Sequence, residues 1–170
     1  PPKWEVLAAI DQSAVALETY RSNHDHPVYP LNIMGLGSDW LKKLEADFWW
    51  LSPPCKPYTV RGARADLADP RAQSFVHLMS LVDSLRPSAL GLENVPGFEG
   101  SRGHQLLEQT LNGAGYCIWQ GVVCPTSFGI PNRRRRFYLI ASRQKLNDWR
   151  VPETPMKSLH EYVREGAEMD

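Results

Sequence analysis

The chain has 170 residues, of which 42% are hydrophobic and 22% are charged, a composition typical of one globular domain and unlike that of a disordered segment. Its 19 basic residues balance its 19 acidic residues, so binding to nucleic acid would have to depend on a local basic patch. Three cysteines without paired spacing indicate neither a disulfide framework nor a zinc site, and they suit a reducing cytoplasm. No apolar run approaches the ~18 residues of a membrane span, and no signal peptide is apparent.

The chain begins with a pattern of strand, acid and helix. Residues 4–11 predict a buried strand that ends at Asp11, and residues 13–23 carry apolar side chains at helical spacing. An acid at a strand end can hold the ribose hydroxyls of a nucleotide-like cofactor. It can equally serve as the N-cap of the following helix, and both interpretations of Asp11 stay open.

The next strand delivers a cysteine. After a short helix over residues 39–44, an apolar run over residues 48–51 stops at Pro53 and Pro54, and Cys55 follows. Proline cannot continue a central strand, so the chain turns there. Because ligands collect at the carboxyl ends of strands in an open parallel sheet, Cys55 is a candidate nucleophile at a cleft rim. A buried, apolar cysteine is the alternative.

Two later segments bring further polar groups to strand ends. Residues 56–69 form a polar loop that suits either a lid or a solvated turn, and residues 70–85 predict a helix with an apolar stripe. The strand from residue 89 then ends at Glu93. Beyond a helix over residues 103–111 and a strand over residues 116–123, four arginines run into the apolar strand at residues 137–141. If that segment is extended, the side chains of Arg134 and Arg136 lie on one face of the strand. The alternative is that the four arginines form a solvent-exposed basic edge.

The alternation of strands and helices predicts an α/β three-layer sandwich. We expect a core over residues 1–143, and then a linker and a terminal helix over residues 144–170. Cys117 and Cys124, on or beside the strand at residues 116–123, are expected to be packing residues.

Three motifs in order carry a resemblance. Pro-Pro-Cys, Leu-Glu-Asn-Val and Ile-Pro-Asn-Arg-Arg-Arg-Arg resemble the nucleophile, glutamate and arginine motifs of the cytosine-C5 methyltransferase family, over about residues 6–141. Asp69-Pro70-Arg71 is similar to a further element of that family. The resemblance implies a Rossmann-like fold that depends on S-adenosylmethionine and acts on a nucleic acid partner.

The resemblance also implies roles for individual residues. Cys55 would attack cytosine C6, and Glu93 would bind N3 and the 4-amino group. Arg136, on the same strand face as Arg134, would stabilise the negative charge that develops at O2. The residues implied for the cofactor are Asp11, Asn32, Ile33 and Pro53. Those implied for the substrate are Pro54, Arg61, Arg71 and Asn94.

The substrate and the completeness of the site stay open. Most members of the family act on DNA, so DNA is the first expected substrate, and a DNA-directed enzyme would work in a nucleus or nucleoid. Thr59, Ser74 and Asn132 instead resemble residues of a branch of the family that methylates tRNA. The family's glycine-rich cofactor loop, target-recognition region and return segment are not found in these 170 residues. We therefore expect the fold to be truncated at both ends. The alternative to a working enzyme is a fragment or a split subunit that binds nucleic acid and needs a complementary polypeptide.

Overall fold

The computed structural model describes residues 4–58, 66–158 and 160. Strands and helices alternate along them, as the sequence predicts. The elements are β1 (Ala9–Asp11), α1 (Ala14–Arg21), β2 (Val28–Pro30), α2 (Ser38–Leu44), β3 (Phe48–Leu51), α3 (Gln73–Leu85), β4 (Ala89–Asn94), α4 (Arg102–Gly113), β5 (Cys117–Val123) and β6 (Arg136–Ser142). No described helix is long and apolar enough to cross a membrane.

Four strands form the main sheet in the order β3-β4-β6-β5. β3 and β4 are parallel, so their carboxyl ends meet at one edge. β6 runs antiparallel to both of its neighbours, and its register places Glu93 opposite Tyr138. The start of β6 therefore lies at the same edge as the ends of β3 and β4.

Apolar side chains on one face of this sheet pack against α3 and α4. Leu90, Leu92 and Leu139 are completely buried, and so are Val82 of α3 and Leu107 of α4. Each such side chain contributes about 1.5–3 kcal/mol by leaving water. Truncation of Leu92 to alanine would cost about 2–5 kcal/mol, because a cavity would remain between the sheet and the helices.

β1 and β2 form a separate parallel pair. The strand predicted over residues 4–11 is observed only at Ala9–Asp11, because β2 offers it a ladder of three residue pairs. Trp4, at the start of this segment, packs its ring against Phe48 at a centroid distance of 5.4 Å. Residues of the segment from Trp4 to Asp11 and of β3 line a gap between the two sheets.

The segment after β6 returns to the body of the protein. Trp149 packs edge-on against Trp119 of β5 with ring centroids 4.5 Å apart, and Thr154 donates its N–H to the Ser127 carbonyl at 2.9 Å. The division at residue 143 stays a prediction, and most of the terminal helix expected over residues 158–165 lies outside the described residues.

Candidate active site at the ends of β3, β4 and β6

Cys55 lies just beyond the end of β3. The buried Pro53 and the exposed Pro54 end the strand, and Cys55 follows with an exposed side chain. Its carbonyl accepts the N–H of Tyr58 at 2.9 Å, which closes a short 3-10 turn over Lys56–Tyr58. The alternative of a buried, apolar cysteine is therefore wrong.

Glu93 and Arg136 form an ion pair at this edge. Arg136 Nε lies 3.0 Å from Glu93 Oε1, and the side chains retain 20% and 28% of their exposure, respectively. The antiparallel course of β6 causes this proximity, because it brings the first residue of β6 to the last residues of β4. A partly buried carboxylate that is paired with a guanidinium can bind a base that presents both a hydrogen-bond donor and an acceptor.

Asn94 ties the two strand ends together. Its side chain is 1% exposed, its Nδ2 donates to the Pro53 carbonyl at 3.4 Å, and its Oδ1 accepts the N–H of Val95 at 2.8 Å. In this structure Asn94 offers almost no surface to a substrate. Its contacts instead hold the segment that carries Cys55 beside the end of β4.

Arg71 forms an ion pair with the buried Asp69. It donates from Nε and Nη2 to the two carboxylate oxygens of the buried Asp69, at 2.8 and 2.6 Å. These hydrogen bonds lower the pKa of Asp69 to about 2. The Arg71 side chain is still 52% exposed, so one side of it faces solvent near the Cys55 segment. Arg61, also predicted to bind substrate, lies outside the described residues.

Arg134 does not share a strand face with Arg136. β6 begins at Arg136, so the alternation expected for the two side chains does not extend back to Arg134. Arg134 is exposed, and its N–H donates to the Asn132 carbonyl at 3.1 Å in a turn. The structure thus brings Arg136 to Glu93 and leaves Arg134 with Arg133 and Arg135 in an exposed basic segment.

A cavity of about 1060 Å³ occupies the gap between the two sheets. It is lined by all four residues predicted to bind a cofactor and by Pro54, namely Asp11, Asn32, Ile33, Pro53 and Pro54. Asp11 Oδ1 accepts the N–H of Ser13 at 2.7 Å, and Asn32 Oδ1 accepts the N–H of Met34 at 3.0 Å. The N-cap of α1 is Ser13 and not Asp11, so that alternative for Asp11 is wrong.

Three residues near the site were not recognised in the sequence. Tyr58 and Asp66 both contact the first turn of α4, as described below. Cys117 is exposed, so the expectation that it is a packing residue is wrong. Cys124 is half-buried, and hydrogen bonds from Thr126 lower the pKa of its thiol. A cysteine directly before Pro125 at the start of a 3-10 turn is the local signal that could have identified Cys124.

Proteins with similar sequences include a tRNA and a DNA cytosine methyltransferase. A tRNA (cytosine(38)-C(5))-methyltransferase of Homo sapiens is 39% identical over 143 residues, which cover 82% of this chain and 37% of that protein. A DNA (cytosine-5)-methyltransferase of Dictyostelium discoideum is 30% identical over 152 residues, covering 85% of this chain and 40% of that protein. The chain therefore spans less than half the length of either relative.

A solved structure confirms the fold class. The methyltransferase EhMeth of Entamoeba histolytica superimposes with a TM-score of 0.84 at 25% identity, over 94% of this chain and 52% of that one. The Rossmann-like α/β methyltransferase fold expected from the motifs is thus confirmed. The family model for the C-5 cytosine-specific DNA methylase matches residues 3–168. Since that match includes nearly the whole chain, the protein belongs to the C-5 cytosine-specific DNA methylase family.

Proposed function

We propose that this chain carries the catalytic edge of an enzyme that methylates C5 of cytosine in tRNA through a covalent adduct with Cys55. The observation that carries the proposal is the arrangement at one sheet edge. An exposed thiol follows β3, the Glu93–Arg136 ion pair ends β4 and begins β6, and Asn94 joins the two strand ends. A nucleophile and an acid-base group on adjacent rigid strands are the minimum that this chemistry needs.

The chemistry starts from the poor nucleophilicity of cytosine C5. The Cys55 thiolate adds to C6, which forms a carbon–sulfur bond and moves an electron pair towards C5 and N3. Glu93 supplies or shares the proton at N3 while its other oxygen accepts from the 4-amino group. Arg136 balances the negative charge at O2. After C5 has been methylated, loss of the C5 proton expels the thiolate and restores the ring. The target base reaches Cys55 only when it is flipped out of its stack.

The cavity between the sheets fits the family's cofactor, S-adenosylmethionine. Its lining is largely apolar and includes Asp11 and Asn32, which suits a ribose and an adenine. Asp11 would hold the ribose hydroxyls, and Ile33 and Pro53 would pack against the adenine. When bound, the cofactor supplies the electrophilic methyl group. Pro53 and Pro54 line the cavity just before Cys55, so the methyl source and the thiol would lie on either side of one turn.

The choice of tRNA rests on the relatives. The sequence placed DNA first, because most members of the family act on DNA. The Homo sapiens relative, which is named for tRNA, is 39% identical, compared with 30% for the Dictyostelium discoideum relative named for DNA. Cytosine in DNA is the alternative substrate, and the exposed arginines before β6 would contact phosphate in either case.

The test is covalent trapping. We expect the protein, with S-adenosylmethionine, to form a denaturant-resistant adduct with tRNA that carries 5-fluorocytosine, since fluorine at C5 cannot leave as a proton does. Cys55→Ala should abolish the adduct, and the exposed Cys117→Ala should not. Equal trapping on a DNA duplex would move the substrate to DNA. An adduct that persists in Cys55→Ala would contradict the role of Cys55.

A second candidate function follows from the gap between the sheets. β1 pairs with β2 and β3 with β4, so within the described residues one edge of β1 and one edge of β3 lie unpaired beside the cavity. Such edges accept a further extended segment. We infer that a complementary polypeptide completes the site there, and that this chain alone acts as a nucleic-acid-binding module.

Calorimetry with S-adenosylmethionine separates the two candidates. A cavity with open strand edges leaves the cofactor partly in water, where each polar contact contributes only about 1 kcal/mol net. If a complementary polypeptide is needed, the dissociation constant for these 170 residues should be about 1 mM or weaker, which corresponds to about 4 kcal/mol. Micromolar binding would show that no further segment is needed.

A further inference from the structure

We propose that Asp66 is a positioning residue for Cys55, because its carboxylate binds the first turn of α4, on which Tyr58 of the Cys55 turn also packs. The proposal deepens the proposed function and rests on it. Tyr58 and Asp66 together hold the Cys55 turn against the segment that follows Glu93.

The Asp66 carboxylate caps α4 from outside the helix. Its two oxygens accept the N–H groups of Arg102 at 2.6 Å and of Gly103 at 3.0 Å. These are first-turn donors that have no partner within a helix, and a negative charge there is also favoured by the helix dipole. The N-cap Ser101 accepts the next donor, His104 N–H, at 3.0 Å. The first turn of α4 is thus satisfied jointly by its own N-cap and by a residue 36 positions earlier.

The backbone of Asp66 shows that this placement is enforced. Its φ of 52° lies in the left-handed region, which costs a residue with a side chain about 1 kcal/mol or more. Aspartate is among the side chains that tolerate this region best. The conformation persists because it aims both carboxylate oxygens at α4.

Tyr58 packs the Cys55 turn against the segment that leads into α4. It is 5% exposed, and its ring packs edge-on against Phe98 with centroids 4.9 Å apart. A Cβ at Gly97 would overlap the Tyr58 carbonyl oxygen, and a Cβ at Gly103 would overlap its hydroxyl. Since Tyr58 N–H also donates to the Cys55 carbonyl, the turn that presents the thiol is packed directly on the segment after β4.

Tyr58 and Asp66 belong to one connected set of contacts around Gly103. The Cys55 turn includes Tyr58, which packs on Phe98 and Gly103, and Asp66 binds the amide of the same Gly103. Phe98 itself follows Glu93 by five residues. Movement of the Asp66 anchor would therefore shift Tyr58 and, with it, the thiol relative to Glu93. Misplacement of a reacting group by about 1 Å can cost about 10²-fold in rate.

Two variants test the proposal in the reaction. Asp66→Gly keeps the left-handed backbone without strain and removes both acceptors, whereas Asp66→Asn keeps the backbone and one acceptor. We expect the trapping rate at saturating tRNA to fall about 10- to 10²-fold in Asp66→Gly and less in Asp66→Asn, with tRNA affinity unchanged. Asp83→Asn, an exposed carboxylate on α3, is the matched control and should react like the wild type. A wild-type trapping rate in Asp66→Gly would overturn the proposal.

Two measurements on the free protein separate this proposal from the proposed function. Burial and the charges of Asp66 and Asp69 raise the pKa of Tyr58 to about 12. In Asp66→Asn that pKa should fall, as followed by ultraviolet titration with Tyr58→Phe to identify the signal. Exchange of the Tyr58 amide should also become about fivefold faster, the effect of losing ~1 kcal/mol of local stability.

The outcomes are distinct. If the wild-type protein does not trap tRNA or DNA, the proposed function fails, and the titration and the amide exchange still decide whether Asp66 positions the Cys55 turn. Unchanged Tyr58 titration and unchanged exchange in both Asp66 variants would refute that role. If Asp66→Gly does not fold, the same comparisons are made with Asp66→Asn.

Discussion

Replacement of Glu93 by glutamine separates catalysis from stability at the proposed site. The variant keeps the shape of the side chain and an oxygen that can still accept the Arg136 Nε–H, which lies 3.0 Å away in the wild type. It removes the negative charge and the ability to exchange a proton with cytosine N3. Chemistry and folding therefore depend on different properties of the same residue.

The two effects differ in size. The Glu93 and Arg136 side chains are 28% and 20% exposed, so their ion pair is partly screened by water and we expect the variant to lose about 1 kcal/mol of unfolding free energy or less. Loss of a positioned acid-base group typically costs about 10²-fold or more in rate, which corresponds to about 2.7 kcal/mol of transition-state stabilisation. The rate should thus fall while the fold persists.

The assay combines urea unfolding with single-turnover trapping on tRNA that carries 5-fluorocytosine. Glu18→Gln, an exposed residue on α1, is the control for loss of one negative charge and should change neither quantity. An unfolding free energy lowered by several kcal/mol together with an unchanged trapping rate would refute the reasoning, because Glu93 would then serve the fold and not the reaction.

Three further predictions concern residues that surround the site. Asn94→Ala should lower the unfolding free energy by about 1–3 kcal/mol in urea titrations, because it leaves a buried carbonyl and an amide without partners. Hydrogen bonds from Arg71 hold the pKa of Asp69 at about 2. The stability that they contribute is therefore complete above the ordinary Asp pKa of 3.8, and it is lost as the pH falls through about 2. Asp69→Asn should remove this pH dependence from urea titrations at acidic pH. A variant with the wild-type pH profile would contradict that role. Gly103→Ala should cost about 1–3 kcal/mol by overpacking, and Tyr58→Phe should restore part of it in thermal unfolding of the double variant.

Local rules made part of the site predictable. Two consecutive prolines end β3 whatever surrounds them, so the turn that presents Cys55 follows from the residues alone. The apolar run that stops at Glu93 likewise predicts a carboxylate at a strand end. The motifs that resemble the methyltransferase family then identified what a thiol and a carboxylate at such ends would do.

Long-range pairing decided the rest. Nothing local distinguishes a parallel from an antiparallel β6, yet in a parallel strand the side chain of Arg136 would begin at the opposite edge of the sheet, about 20 Å away over six residues of β4. Similarly, the burial of Asn94, the left-handed backbone of Asp66 and the short β1 each depend on a partner distant in sequence. The residue types and their order were thus determined by the sequence itself. The ion pair of Glu93 with Arg136, and the hydrogen bonds of Asp66 with α4, exist only because strand pairing and helix packing bring separate segments together.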